Sequence, residues 1–215
     1  MKPVQTYLFL YNLLQFFGWS VILIKTVANL IIIRCYNSVE FELQIFQTAA
    51  ILEVIHAALG FVRSPVGTTA IQVYSRVSIV WLILYKVIST RSSIGVPMLL
   101  FAWSLTEVIR YSFYALTLLK CVPQFLTWLR YSLFIALYPL GVSGELLCIF
   151  AAFNEVSIKK HFTLEMPNMF NIAFSFWWYL VFMVLLYIPA FPKLYCYMLA
   201  QRRKVLGVEA SKKRE

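Results

Sequence analysis

The sequence predicts an all-α fold, an integral membrane bundle of six transmembrane helices. Three observations predict it. Hydrophobic residues make up 61% of the 215 positions and charged residues only 13%, against about half and about a quarter in an ordinary soluble domain. The apolar residues are bunched into runs, each long enough to cross a bilayer at roughly 20 residues per crossing. Short polar breaks separate the runs, and the length accommodates six crossings and short loops with no separate soluble domain. Residues 1–199 are expected to form the bundle and residues 200–215 a basic tail.

The expected spans are 7–33, 41–62, 70–90, 94–118, 125–152 and 170–199. The first begins directly after Met1-Lys2-Pro3 and runs to Ile33 with no small-residue cleavage site, so it reads as a retained span and not a signal peptide. Charges and Asn37 gathered between Arg34 and Glu42 end it. Arg63-Ser64-Pro65-Val66-Gly67 is a polar turn containing a helix breaker. Arg91-Ser92-Ser93 is so short that the third and fourth spans must be antiparallel neighbours. Lys120-Cys121-Val122-Pro123 closes the fourth span, and Asn154 to Asn171 is the longest expected loop.

An even number of spans puts both ends on one side. With both ends inside, the inner segments hold ten basic residues (Lys2, Arg63, Lys120, Arg130 and six in the tail). The outer segments hold four, namely Arg34, Arg91, Lys159 and Lys160. The positive-inside rule therefore places both termini in the cytosol. The final Lys212-Lys213-Arg214-Glu215 resembles a dilysine signal for retrieval to the endoplasmic reticulum. A large share of the basic excess behind the net charge of +10 sits in the last fourteen residues, which fits anionic lipid and argues against nucleic acid as a partner. Cys35, Cys121, Cys148 and Cys196 lack the paired spacing of a disulfide framework or a zinc site and read as ordinary apolar residues.

Ionisable residues fall inside the spans, where each costs roughly 2.5 to 3.5 kcal/mol at the bilayer centre unless paired or turned inward. They are Glu53, Glu107, Glu145, Arg76, Arg110, His56, Lys25 and Lys86. The two lysines lie near span ends and can snorkel. Glu53 and His56 share one face of the second span, and Gln72 and Arg76 one face of the third. Glu107, Arg110, Tyr111 and Tyr114 share a face of the fourth. Glu107 with Arg110, and Glu53 with Arg76, are expected as buried pairs that fix helix register. His56 is expected as a satisfied core histidine.

The fifth span differs. Tyr138 and Glu145 are seven residues apart, so they point the same way about 10 Å apart along an ideal helix. Pro139, Gly141 and Gly144 lie between them. These residues can open a slot for an acyl chain or permit close helix packing. Glu145 has no basic residue on its own face nearby, and an unpaired carboxyl in low dielectric suits proton transfer. The pair therefore reads as an intramembrane acid and base facing one shared cavity.

At these residues the chain resembles the 3-hydroxyacyl-CoA dehydratase family, the protein-tyrosine-phosphatase-like proteins of fatty acid elongation. The matching segments begin with Tyr7-Leu8-Phe9-Leu10-Tyr11-Asn12 and Leu52-Glu53-Val54-Ile55-His56-Ala57-Ala58-Leu59-Gly60. They continue with Gln72-Val73-Tyr74-Ser75-Arg76, then Trp103 through Tyr114, then Leu129 through Glu145. The resemblance implies a six-span protein of the endoplasmic reticulum that removes water from a (3R)-3-hydroxyacyl-CoA to give the trans-2-enoyl-CoA. It implies that Tyr138 and Glu145 are catalytic. It also implies a place beside the elongase, the 3-ketoacyl-CoA reductase and the enoyl-CoA reductase of the cycle. Phosphatase chemistry is not expected, since Cys121 and Arg130 do not have the Cys-x5-Arg spacing of a phosphatase loop.

Dehydration needs a base for the proton beside the thioester carbonyl and an acid for the leaving hydroxyl. A carboxylate is the more natural base, and a phenol of unperturbed pKa about 10 the more natural donor. Arg76, Glu107, Arg110, Glu53, His56 and Tyr111 are expected to support or orient this pair. The tail, or the Arg63 and Lys120 loops, is expected to meet the CoA phosphates. No metal, flavin or nicotinamide fingerprint is present, and the chemistry needs no redox cofactor. A lipid transporter and a non-catalytic scaffold of the elongation complex are the rival readings. The two halves carry no internal repeat of the kind many transporters have.

Overall fold

Every element long enough to matter is a helix, because runs of Leu, Phe, Ile and Val in an apolar setting satisfy their backbone only by bonding within the segment. The computed structural model describes residues 2–29, 35–62, 64–169 and 171–212. Its α-helices are α1 (Pro3–Ala28), α2 (Cys35–Ala49), α3 (Ile51–Ala58), α4 (Val66–Ser78), α5 (Gly95–Leu118), α6 (Gln124–Ser132), α7 (Phe134–Lys159) and α8 (Phe176–Lys212). A π-helical segment, Ile79–Tyr85, continues α4, and a short 3-10 turn, Ile88–Ser92, follows it. Among the described residues the only extended pairing is a single bridge between Leu164 and Phe174.

Among the described residues, four helical stretches are long and apolar enough to cross a membrane: Pro3–Ala28, Val66–Tyr85, Phe134–Lys159 and Phe176–Gly207. The expected second span is split at Ala50 into α2 and α3. The expected fourth span matches α5 in length, but Ser104, Thr106, Glu107 and Arg110 lower its apolarity. Other boundaries shift as well. The expected fifth span is broken at Leu133 into α6 and α7, and α7 runs on to Lys159. The longest loop is therefore shorter than expected. It opens at Lys160, which takes a left-handed conformation (φ 50°) that caps the helix. The basic stretch after residue 199 continues α8 as helix to Lys212. Residues 30–33 of the first expected span, Arg34 and Arg63 of the charge count, and Lys213, Arg214 and Glu215 of the dilysine motif lie outside the described residues.

Helix α5 is the central post, packed between α1 and α7. The core at these contacts is apolar, with Trp19, Ile22, Leu43, Leu99, Leu100 and Ile149 fully buried. The outward faces are apolar too, with Leu14, Ile24, Ile71 and Ile158 exposed. Helices apolar on every side belong in lipid.

The glycines of α7 decide between the two roles open to them. A Cβ placed on Gly144 would fall 2.7 Å from the Leu99 nitrogen and 2.8 Å from the Gly95 carbonyl oxygen. A Cβ on Gly95 would fall 2.5 Å from the Gly144 carbonyl oxygen. The two helix backbones therefore touch, and these glycines serve packing, not a slot. Gly141 has room, since its Cβ would sit 3.5 Å from the Ala102 side chain. Gly144→Ala is expected to force α5 and α7 apart and to lower stability by about 1–3 kcal/mol. Gly141→Ala should melt close to the wild-type temperature in detergent, and equal melting of the two variants would refute the contact.

Candidate active site

Helix α7 presents Tyr138 and Glu145 on one side, as their spacing predicts. Glu145 is buried at 8% exposure. Its Oε1 accepts a hydrogen bond from Trp103 Nε1 of α5 at 2.8 Å, and its Oε2 accepts one from the Tyr187 hydroxyl of α8. The carboxyl thus bridges three helices through neutral donors. Tyr138, half-buried, stacks on Phe191 (ring centroids 5.2 Å apart) and on Tyr195 (6.2 Å), both of α8. The Arg76 guanidinium lies 5.2 Å from the centre of the Trp103 ring. Trp103 donates to Glu145, which also accepts from Tyr187, so Arg76 borders this cluster.

Arg76 also begins a self-paired chain of ionisable residues beside this cluster. Arg76 Nη1 pairs with Glu107 Oε1. Arg110 Nε donates to Glu107 Oε2 at 2.6 Å, and its two terminal nitrogens donate to Glu53 at 2.9 and 2.8 Å. Tyr111 donates to Glu53 Oε1 and accepts from Arg110 Nη2 at 2.9 Å. Two arginines thus neutralise two glutamates across α3, α4 and α5. The expected Glu107–Arg110 pair forms. The expected Glu53–Arg76 pair does not: Glu53 belongs to Arg110, and Arg76 belongs to Glu107. Sequence periodicity assigns each residue a face but not the helix that face meets, which is why the partner was misassigned. Tyr111, expected beside the catalytic pair, is held by Glu53 and Arg110.

His56 is buried and sits 2.9 Å from the Tyr7 hydroxyl, edge-on to Tyr7 and Tyr11. It is a satisfied core histidine, away from Glu145. Lys25 pairs with Glu42, and Lys86 lies 5.9 Å from the Phe162 ring. All four cysteines are free.

Sequence reasoning missed Tyr187, Phe191 and Tyr195, and gave Trp103 no role of its own. The available signal for Tyr187 was a hydroxyl embedded in the apolar run Val184-Leu185-Leu186-Tyr187-Ile188, just ahead of Pro189. The expected shared cavity is filled as folded: aromatic rings cover Tyr138, and two donors occupy the Glu145 oxygens. An open cleft of about 1180 Å³ lies elsewhere, between the end of α7, the following loop and the start of α8, with Lys160, Thr163, Trp177 and Phe182 on its walls.

These features define a class, a polytopic helical membrane protein with a buried carboxyl and phenol at the meeting of three helices. Residues 47–208 match the family described as protein tyrosine phosphatase-like protein, PTPLA, and the chain belongs to that family. It is 63% identical over 215 residues to the Caenorhabditis elegans protein named very-long-chain (3R)-3-hydroxyacyl-CoA dehydratase hpo-8, covering 98% of this chain and 99% of that one. It is 42% identical to the Homo sapiens very-long-chain (3R)-3-hydroxyacyl-CoA dehydratase 2, over 95% of this chain and 83% of the relative. It is also 41% identical to the Oryza sativa subsp. japonica dehydratase PASTICCINO 2A, over 94% of each. No solved structure matches the chain.

Proposed function

We propose that this chain is a very-long-chain (3R)-3-hydroxyacyl-CoA dehydratase, a hydro-lyase that gives the trans-2-enoyl-CoA in fatty acid elongation. One structural observation carries the chemistry. Among the glutamates whose side chains are described, Glu145 is the one with no cationic partner, while Glu40, Glu42, Glu53, Glu107, Glu155 and Glu165 are all ion-paired. A paired carboxylate is committed to its cation. A buried one held by neutral donors stays free to take and return a proton.

In this reading Glu145 removes the proton from C2, and the C2–H electron pair forms the C2=C3 double bond. The C3–O bond breaks, and Tyr138 gives its proton to the departing hydroxyl, so that water leaves. The proton on Glu145 then passes back to the phenolate. Trp103 and Tyr187 hold the two carboxylate oxygens, so the base points one way through the cycle. Arg76, beside Trp103, faces the negative charge that gathers on the thioester oxygen. The acyl chain enters by displacing Phe191 and Tyr195, which cover Tyr138 through ring stacking.

The proposal extends to the membrane. Residues 35–58 and α5 are long enough to complete six crossings at 1.5 Å per residue. Six crossings put both ends on one face, the cytosol of the endoplasmic reticulum. The enoyl product there meets the reductase that completes the cycle, and the elongase and ketoacyl reductase supply the substrate.

Protein purified in detergent is expected to convert 3-hydroxyacyl-CoAs of graded chain length, followed as enoyl-CoA by mass spectrometry, with no second protein present. No turnover at any chain length would remove the enzyme reading in favour of a scaffold.

A further inference from the structure

We propose that Arg130 of α6 and Arg202 of α8 form an anion site that holds the phosphates of CoA, an inference that rests on the dehydratase reading above. Six cations elsewhere in the bundle are already paired with carboxylates. Lys25, Arg76, Arg91, Arg110, Lys159 and Lys160 each sit against a glutamate. Arg130 and Arg202 have no carboxylate partner among the described residues. Arg130 lies over the rings of Tyr114 (4.8 Å) and Phe113 (5.4 Å), and one of its nitrogens donates to the Tyr114 hydroxyl at 2.9 Å. Its Nε is buried with no hydrogen-bond partner. A guanidinium resting on aromatic rings and without a carboxylate keeps donors for an anion, and the paired donors of arginine match phosphate geometry.

Both arginines lie toward one end of the bundle, Arg202 against Ser132 of α6, two residues beyond Arg130. Tyr138 and Tyr195 stack across α7 and α8. Toward the N-terminal side of Tyr138 and the C-terminal side of Tyr195, Arg202 Nε meets Ser132 Oγ at 3.3 Å. These two rungs place both arginines on the same side of Tyr138. Arg130 lies about 12 Å from Tyr138 along the helix direction, and Arg202 about 10 Å from Tyr195. The extended pantetheine arm of CoA covers that distance, so a thioester at Tyr138 and Glu145 delivers its phosphates here. The same side of the bundle carries the basic end of α8, including Arg203 and Lys204. The Lys120 loop expected to meet CoA ends α5, and Arg63 is outside the described residues.

The test compares a 3-hydroxyacyl-CoA with the matching 3-hydroxyacyl-pantetheine, which has the same thioester and no phosphate. The wild type should favour the CoA ester in kcat/KM, and raising salt should reduce that preference. Arg202→Gln and Arg130→Gln should each lower the CoA-over-pantetheine ratio about 10- to 100-fold, chiefly through KM, with partial recovery in the lysine variants. Adenosine 3′,5′-bisphosphate should compete with the CoA ester on the wild type and lose potency on Arg202→Gln. If Arg130→Gln does not fold, Arg202→Gln and the competition assay decide the matter. A ratio unchanged in Arg202→Gln overturns the proposal and leaves a lipid headgroup as the phosphate these arginines meet. Equal loss with both esters overturns it in favour of a packing role. A wild type that dehydrates neither ester fails the dehydratase reading itself, a distinct result from a wild type that dehydrates both without preference.

Discussion

Glu145→Gln is expected to abolish dehydration and leave the bundle folded. Glutamine keeps the shape of the side chain and an acceptor for Trp103, and no ion pair is lost because Glu145 has none. What disappears is the ability to accept a proton. Removing a general base from a site of this kind lowers turnover by about 10²- to 10⁴-fold. The loss should appear in kcat for every chain length, with thioester binding retained. Tyr138→Phe should fall in the same range, since the ring stack on Phe191 and Tyr195 survives while the donor is lost. Tyr187→Phe should cost less, because it frees one carboxylate oxygen without removing a reacting group. Wild-type turnover in Glu145→Gln would end the assignment.

The largest expected effect on stability falls on Glu107, which does no chemistry in this reading. Its side chain is 3% exposed and lies between Arg76 and Arg110. Glu107→Ala leaves Arg76 with no carboxylate partner and Arg110 with Glu53 alone. Stranding a buried charge costs about 3–5 kcal/mol. The protein should elute as aggregate or melt far below the wild type in detergent. A mild variant would be as informative: if Glu107→Ala melts like the wild type, the Arg76–Glu107–Arg110–Glu53 chain is not what joins α3, α4 and α5. The contrast between the two glutamates separates their roles. One is expected to lose activity with the fold intact, and the other to lose the fold.

How much was legible follows from what each residue depends on. That Tyr138 and Glu145 both face α8 was legible as a shared direction because both residues sit on one helix, where a separation of seven fixes their relative direction. The Glu107–Arg110 pair was legible for the same reason at i and i+3. The partner of Glu53 was not, because it lies on another helix, and two arginines on two different faces both fit the pattern. Tyr187 was not legible because a tyrosine in an apolar run reads as filler until the opposing helix is known. The function of the small residues in α7 stayed open for a parallel reason: Gly144 is explained only by Gly95 on the facing helix.

The sequence by itself determined the membrane class, the all-helical fold, and the carboxyl and phenol on the fifth apolar run, because hydropathy and helical period are properties of one segment at a time. Only the tertiary structure decided that Arg110 claims Glu53 and Arg76 claims Glu107. It also decided that Gly144 presses on Gly95, and that Trp103 and Tyr187 flank Glu145. Those contacts depend on which helices are neighbours and how far one has turned against the next, and a one-dimensional pattern carries neither quantity.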